Sequence, residues 1–146
     1  MSDAQRLAEL SVAELSSRDV AARALGIEVA GVAPGYVKLT MRVRPDMLNG
    51  HAICHGGIIF ALADSAFAFA CNSYNENTLA ASASIEFLAP ARAGDELIAE
   101  AGERARGRRL GIYDIEVRNQ QGTRIALFRG RSAKVSGTVL PADPGE

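Results

Sequence analysis

A chain of 146 residues is the size of one domain, with enough length to build its own core. At 48 % hydrophobic and 23 % charged residues it has the composition of an ordinary soluble globular protein, and a net charge of −1 excludes any global attraction to nucleic acid or to an anionic membrane surface. An anionic ligand must therefore be held by local groups. The two cysteines, Cys54 and Cys71, form neither a CxxC pair nor a disulfide framework, which fits a reducing compartment. The N-terminus MSDAQRLAEL lacks the basic and apolar regions of a signal peptide, so the expected location is cytoplasmic, with no membrane segment.

From Ala4 to about Leu25, Leu7, Leu10, Ala13, Leu15 and Val20 recur near helical spacing. This predicts an amphipathic N-terminal helix within residues 1–24, or two short ones broken near Ser16 and Ser17, lying over the rim of the core. From Gly26 the texture changes. Val37, Leu39, Met41 and Val43 alternate with polar residues, and Pro34-Gly35 marks the turn of a hairpin that ends at Pro45. A loop from Asp46 to His55 leads into the stretch IIFALADSAFAFAC. Between Ile58 and Cys71 only Asp64 and Ser65 are polar, so a helix here is hydrophobic nearly all round and is expected to be buried. Four more strand-like runs follow, separated by Ala89-Pro90-Ala91, Arg106-Gly107 and Gln121-Gly122. The main body of the domain spans 25–137, and residues 138–146, without apolar periodicity, are expected to be a disordered tail.

A carboxylate at the centre of an apolar helix needs either a structural partner or a chemical task, because burying it unpaired costs several kcal/mol or forces it to take up a proton. Ahead of it stand Gly56 and Gly57, where a helix's first turn offers unpaired N–H groups and the positive end of the macrodipole. A substrate carbonyl could approach the backbone there.

The order helix, two strands, buried helix, four strands predicts an α+β domain in which a curved antiparallel sheet wraps a central helix, with an extra helix at the N-terminus. The run HGGIIFALADSAFAFACNS, together with IEFLAPARAGDEL and GRRLGIYDIEVRNQQG, resembles the hotdog-fold acyl-CoA thioesterases of the phenylacetic acid degradation type, over about Leu25 to Val135. The resemblance implies hydrolysis of an aryl-acetyl or medium-chain CoA thioester, with no metal or bound cofactor. It maps an oxyanion-binding amide onto Gly56 and the carboxylate onto Asp64, and adds Asn49, His55 and Ser82 as supporting catalytic positions. Asp64 would act as a general base on water or as a nucleophile forming a mixed anhydride. Gly57 joins the substrate-binding positions, as do Arg108 and Arg109 in the basic run RARGRR, whose guanidinium groups suit the phosphates of coenzyme A.

Other readings of the same residues compete. His51, Cys54, His55 and Asp64 could ligate a metal, and Cys54 beside a histidine could be a thiol nucleophile, although neighbouring side chains in a strand or loop diverge. Asn49 could be a turn residue, Ser82 an ordinary strand residue, and the arginines a solvated turn. A hotdog hydratase or dehydratase, or a non-catalytic acyl-CoA-binding module, would share the fold; the helix offers no histidine for hydratase chemistry. Finally, Gly56 and Asp64 lie eight residues apart, about 12 Å along one helix axis, too far to serve one carbonyl. Two antiparallel helices across a two-fold axis would bring them together, which predicts a homodimer with shared sites. The resemblance implies further pairing into a homotetramer.

Overall fold

A computed structural model describes residues 1–142 of the protein. Two helices open the chain, α1 (Asp3–Ser17) and α2 (Val20–Ala24). Ser2 caps α1 by accepting from the Gln5 amide, and Asp19 caps α2 by accepting from the Ala22 amide. The segment is two helices rather than one, with the break at Arg18 and Asp19, just after the two serines. The hairpin β1 (Glu28–Ala33) and β2 (Tyr36–Arg42) follows, then the helix α3 (Gly56–Cys71) and strands β3 (Thr78–Phe87), β4 (Glu96–Arg106), β5 (Leu110–Arg118) and β6 (Arg124–Lys134). All six strands join one antiparallel sheet in the order β1-β2-β4-β5-β6-β3.

Helix α3 lies across β2, β4 and β5. Its alanines favour helix, and its large side chains fill the core: Leu62, Phe67 and Phe69 are buried against Leu39, Leu97, Ile115 and Phe128. Packing is close enough to dictate a glycine. A Cβ on Gly130 of β6 would sit 2.6 Å from the Phe67 ring, so only a glycine lets that ring reach the sheet. Val12 and Ala22 belong to the same hydrophobic cluster, so the N-terminal helices pack onto the core of the sheet domain.

The helix is not buried on every side. Gly57, Ala61, Asp64 and Ala68, spaced along one stripe, stay open or partly open, because among the described residues of a single chain nothing fully covers that stripe. The two sheet edges also differ. At β1, Gln5 of α1 donates to the Val32 carbonyl at 2.7 Å and helps cover the edge. At β3 the strand is exposed along most of its length, with Leu79 61 % accessible. An open, apolar edge strand is a template for pairing with another chain.

The expected disordered tail requires a correction. Val139 is buried, its carbonyl accepts from Arg18 at 3.1 Å, and the Leu140 amide donates to Asn75 Oδ1 at 2.8 Å. A single apolar side chain and a few backbone bonds suffice to hold this segment, and periodicity cannot detect so short an anchor. The remainder of the expected tail, residues 143–146, lies outside the described residues. Among the described residues, no helix is long and apolar enough to cross a membrane.

Candidate active site

The loop before α3 is held by its own hydrogen bonds. Asn49 Oδ1 accepts from the His51 amide at 2.9 Å and from the Ile53 amide at 3.4 Å, and the Asn49 amide donates to the Ile53 carbonyl. Its side-chain oxygen thus does the turn work weighed above, which leaves the side-chain NH2 as the group it could offer to a substrate. The Cys54 amide then bonds Ala91 and the His55 amide bonds Met47, fixing the entry to the helix.

His55 is the N-cap of α3. Its Nδ1 accepts from the Gly57 amide at 3.1 Å, so a neutral ring carries its proton on Nε2. Its carbonyl accepts from the amides of Ile58 and Ile59. Of the first-turn donors, Gly57, Ile58 and Ile59 are satisfied; among the described residues the Gly56 N–H has no acceptor. That N–H sits at the positive end of the helix dipole, where a developing negative charge on oxygen is stabilised. Gly57, grouped with the substrate-binding positions from sequence, spends its amide on the cap instead.

Asp64, two turns further on, is half-buried and accepts no hydrogen bond among the described residues. Burial pushes its carboxyl above the usual carboxylate range, and the negative charge of Asp19, at the start of α2, pushes the same way. Its neighbour Ser65 is already satisfied, donating to the Ala61 carbonyl at 2.7 Å. Of the two explanations open to a carboxylate in this helix, a structural hydrogen-bond partner is missing.

Ser82 stands on β3 opposite Arg131, which donates to its Oγ at 3.4 Å, and it does not bond Asp64. Cys54 is buried, with burial raising its thiol to about 11, and its Sγ contacts the His55 carbonyl while the His55 ring is exposed. A thiolate nucleophile is disfavoured there. Among the described residues no three His, Cys, Asp or Glu side chains gather in metal-binding geometry, so His51, Cys54, His55 and Asp64 do not converge. In the basic run, Arg104 pairs with Asp114, and Arg106 pairs with Glu76 while its guanidinium stacks 3.6 Å from the Tyr74 ring centre. Arg108 and Arg109 are exposed and have no ion-pair partner among the described residues. The turn therefore contains two structural arginines and two whose charge is available.

A concavity of about 680 Å³ lies on the charged face of the sheet, lined by the paired groups Arg118 with Glu100 and Arg129 with Asp114. None of the residues at the head of α3 lines it. Sequence reasoning missed two contributors to the site. Phe87 packs its ring over Gly56, and Asp19 lies close enough to Asp64 to raise its proton affinity. Phe87 carries the faint signal of adjoining Leu88 and breaking the strand's alternation, but nothing in a separation of 31 positions tells that it meets Gly56.

A free amide at a helix head and an unpaired carboxylate in the same helix, beneath a curved antiparallel sheet, are the kinds of group that acyl transfer to water uses. Residues 51–126 match the family model described as the thioesterase superfamily, and the chain belongs to that family. Within it, the chain is 49 % identical to the acyl-coenzyme A thioesterase PaaI of Escherichia coli (strain K12), over 83 % of this chain and 86 % of that protein. A putative esterase of Archaeoglobus fulgidus is 40 % identical over 80 % of this chain and 76 % of its own. The solved structure of the E. coli PaaI protein superimposes with a TM-score of 0.91 at 45 % identity, covering 92 % of this chain and 97 % of that one. A protein of Thermus thermophilus, TT0310, superimposes at 0.78 with 39 % identity, covering 81 % and 99 %. The architecture is thus the hotdog fold that the motif implied.

Proposed function

We propose that the protein hydrolyses acyl-CoA thioesters to a free acid and coenzyme A, with the Gly56 N–H as oxyanion donor and Asp64 as the group that delivers oxygen to the carbonyl carbon. One observation carries this reading: among the described residues, within a first turn whose other amides are capped, the Gly56 N–H is left free, on the same helix as an unpaired carboxylate whose proton affinity is raised. Supporting it is the similarity to a PaaI protein whose operon serves phenylacetic acid degradation, which makes arylacetyl-CoA esters the first substrates to try.

The chemistry balances in two ways. As a base, Asp64 takes a proton from water, the oxygen adds to the carbonyl carbon, and the C–S bond breaks; the proton goes to the departing thiolate. As a nucleophile, Asp64 adds directly, the thiolate leaves, and water then cleaves the mixed anhydride. In both, negative charge gathers on the carbonyl oxygen and is held by the Gly56 amide. No step in either route calls for a metal or a redox cofactor. Asn49 and His55 hold the loop that aims this amide, Ser82 is a further polar group on the neighbouring strand, and Arg108 and Arg109 receive the nucleotide phosphates.

The site is completed by a second copy of the chain. Gly56 and Asp64 stand about 12 Å apart along one axis, and the surfaces a partner would cover, the edge of β3 and the open stripe of α3, are those left bare. A two-fold pairing places Gly56 of each chain by Asp64 of the other, giving two equivalent sites; further pairing of such dimers would make a tetramer. The test of function is release of free thiol from a panel of CoA esters. Turnover that is lost in Asp64→Asn supports the reading. Tight binding of the esters without thiol release overturns it in favour of a binding module, and a change in acyl-chain unsaturation without thiol release favours a hydratase. In single-turnover hydrolysis in 18O-labelled water, label in Asp64 establishes the nucleophilic route with water opening the anhydride at the Asp64 carbon, and trapping the anhydride with hydroxylamine detects that route whichever carbonyl water attacks.

A further inference from the structure

Phe87 ends strand β3 in an unusual position for a large aromatic. Its register partner is Ala126, a fully buried residue of β6, so its side chain leaves the sheet on the core-facing side. Yet it is 53 % exposed, as is Leu88 beside it. The backbone just after it is pinned, because the amides of Leu88 and Ala89 both donate to the Ile125 carbonyl. The backbone carrying the ring is therefore fixed, and part of the ring's surface is uncovered. The covered part rests on Gly56. An ideal Cβ on Gly56 would lie 3.1 Å from Phe87 Cζ and 3.4 Å from Cε1, tighter than ordinary van der Waals contact. A glycine at 56 thus admits the ring as well as a substrate.

Cβ is two bonds from the amide nitrogen, so a ring edge this close to it borders the groups that approach the Gly56 N–H. A carbonyl oxygen accepting from that amide brings its carbon and the first atoms of its acyl chain beside the exposed ring surface. We propose that Phe87 is a specificity-determining residue: its ring forms one wall of the acyl site and favours acyl groups that present a flat aromatic ring near the carbonyl over short aliphatic ones. Aromatic pairs contribute beyond their buried area when offset or edge-to-face, whereas a short alkyl chain leaves most of the ring wet. This inference rests on the thioesterase reading above.

The experiment compares kcat/KM for phenylacetyl-CoA and butanoyl-CoA in the wild type and in Phe87→Ala, Phe87→Leu and Phe87→Tyr. Both esters carry the same nucleotide, so their ratio isolates the acyl wall. In Phe87→Ala the preference for phenylacetyl-CoA falls at least about tenfold, the scale of a lost apolar contact in a specificity pocket. Phe87→Leu lies between, and Phe87→Tyr keeps most of the preference. Equal losses on both esters, or no loss on either, overturn the proposal, because a purely structural ring would not discriminate between them. If Phe87→Ala does not fold, an unchanged ratio in Phe87→Leu is equally decisive against it. A wild-type protein that releases thiol from no ester at all removes the thioesterase reading and this inference with it, a different result from thiol release with an unchanged ratio.

Discussion

The two ends of α3 are built to opposite rules. At the C-terminal end the polar side chains are paired. Asn72 donates to the Ala68 and Thr78 carbonyls and accepts from the Thr78 amide, and Ser73 donates to Ala70 while accepting from the Gly35 amide. Beyond it, the hydroxyls of Tyr74 and Tyr113 both donate to Glu103, and burial with that carboxylate raises Tyr74 to about 12. In the N-terminal half, among the described residues, the Gly56 amide has no acceptor and Asp64, at mid-helix, has no donor, and Phe87 over Gly56 is left half-exposed. The groups named at the C-terminal end are tied up with one another, whereas the Gly56 amide and the Asp64 carboxylate remain open to solvent or a ligand, which marks their half of the helix as the working one.

The contrast predicts that substitutions at the two ends move different observables. The largest effect belongs to Asp64→Asn, which should lower kcat by at least about a hundredfold. Stability should respond in the opposite sense. Because the folded state raises the Asp64 pKa, ionising the group weakens the fold; that penalty is absent below the unfolded value of about 3.9 and grows as pH rises through the folded one. Asp64→Asn should therefore unfold at higher temperature than the wild type at neutral pH, with the advantage fading towards about pH 3. For the same reason wild-type turnover should be lost on the acid side at a pH above the ordinary carboxylate range. An Asn variant with wild-type kcat would erase the distinction between the two ends.

Asn72→Ala is the converse. It strips hydrogen bonds from a buried helix end and should cost about 1–3 kcal/mol in denaturant unfolding, while the folded fraction keeps its kcat. A large fall in kcat without a fall in stability would show chemistry at the end assigned to structure. Smaller again is the effect of changing Arg108 and Arg109 to alanine. KM for CoA esters should rise several-fold, and much less for short thioesters that lack the nucleotide; the difference should shrink in high salt, as screened surface contacts do. The same change at Arg104 and Arg106 should act on stability, since those two are already paired.

Much of this was legible beforehand. The hairpin, the four later strands and the helical N-terminal segment follow from alternation and helical spacing, because each depends on neighbours in the chain. The glycines and Asp64 stand out in an apolar run for the same reason. What the sequence leaves hidden depends on long-range approach: Phe87 over Gly56, Asp19 near Asp64, Val139 docking by Arg18. Composition also cannot separate Arg104 and Arg106, which meet Asp114 and Glu76, from Arg108 and Arg109, which meet neither. The helix read as buried all round proves open along the Asp64 stripe, since an apolar pattern does not say whether its cover comes from the same chain or another.

The claim that the site is shared between two chains is tested most directly by reassortment. Two inactive variants, Gly56→Pro and Asp64→Ala, are unfolded, mixed equally and refolded together. Proline removes the amide donor and suits a helix's first position, and His55 before it already has the extended backbone, φ −59° and ψ 133°, that a following proline requires; the proline Cβ, 3.1 Å from Phe87 Cζ, asks the half-exposed Phe87 ring to give way by a few tenths of an ångström. In each hybrid dimer one site carries both defects and the other carries none. Half the dimers are hybrids under random pairing, so about a quarter of the wild-type sites should return. Refolded mixtures in which hybrids are shown to form and no activity returns would place Gly56 and Asp64 in one chain's site and contradict the account.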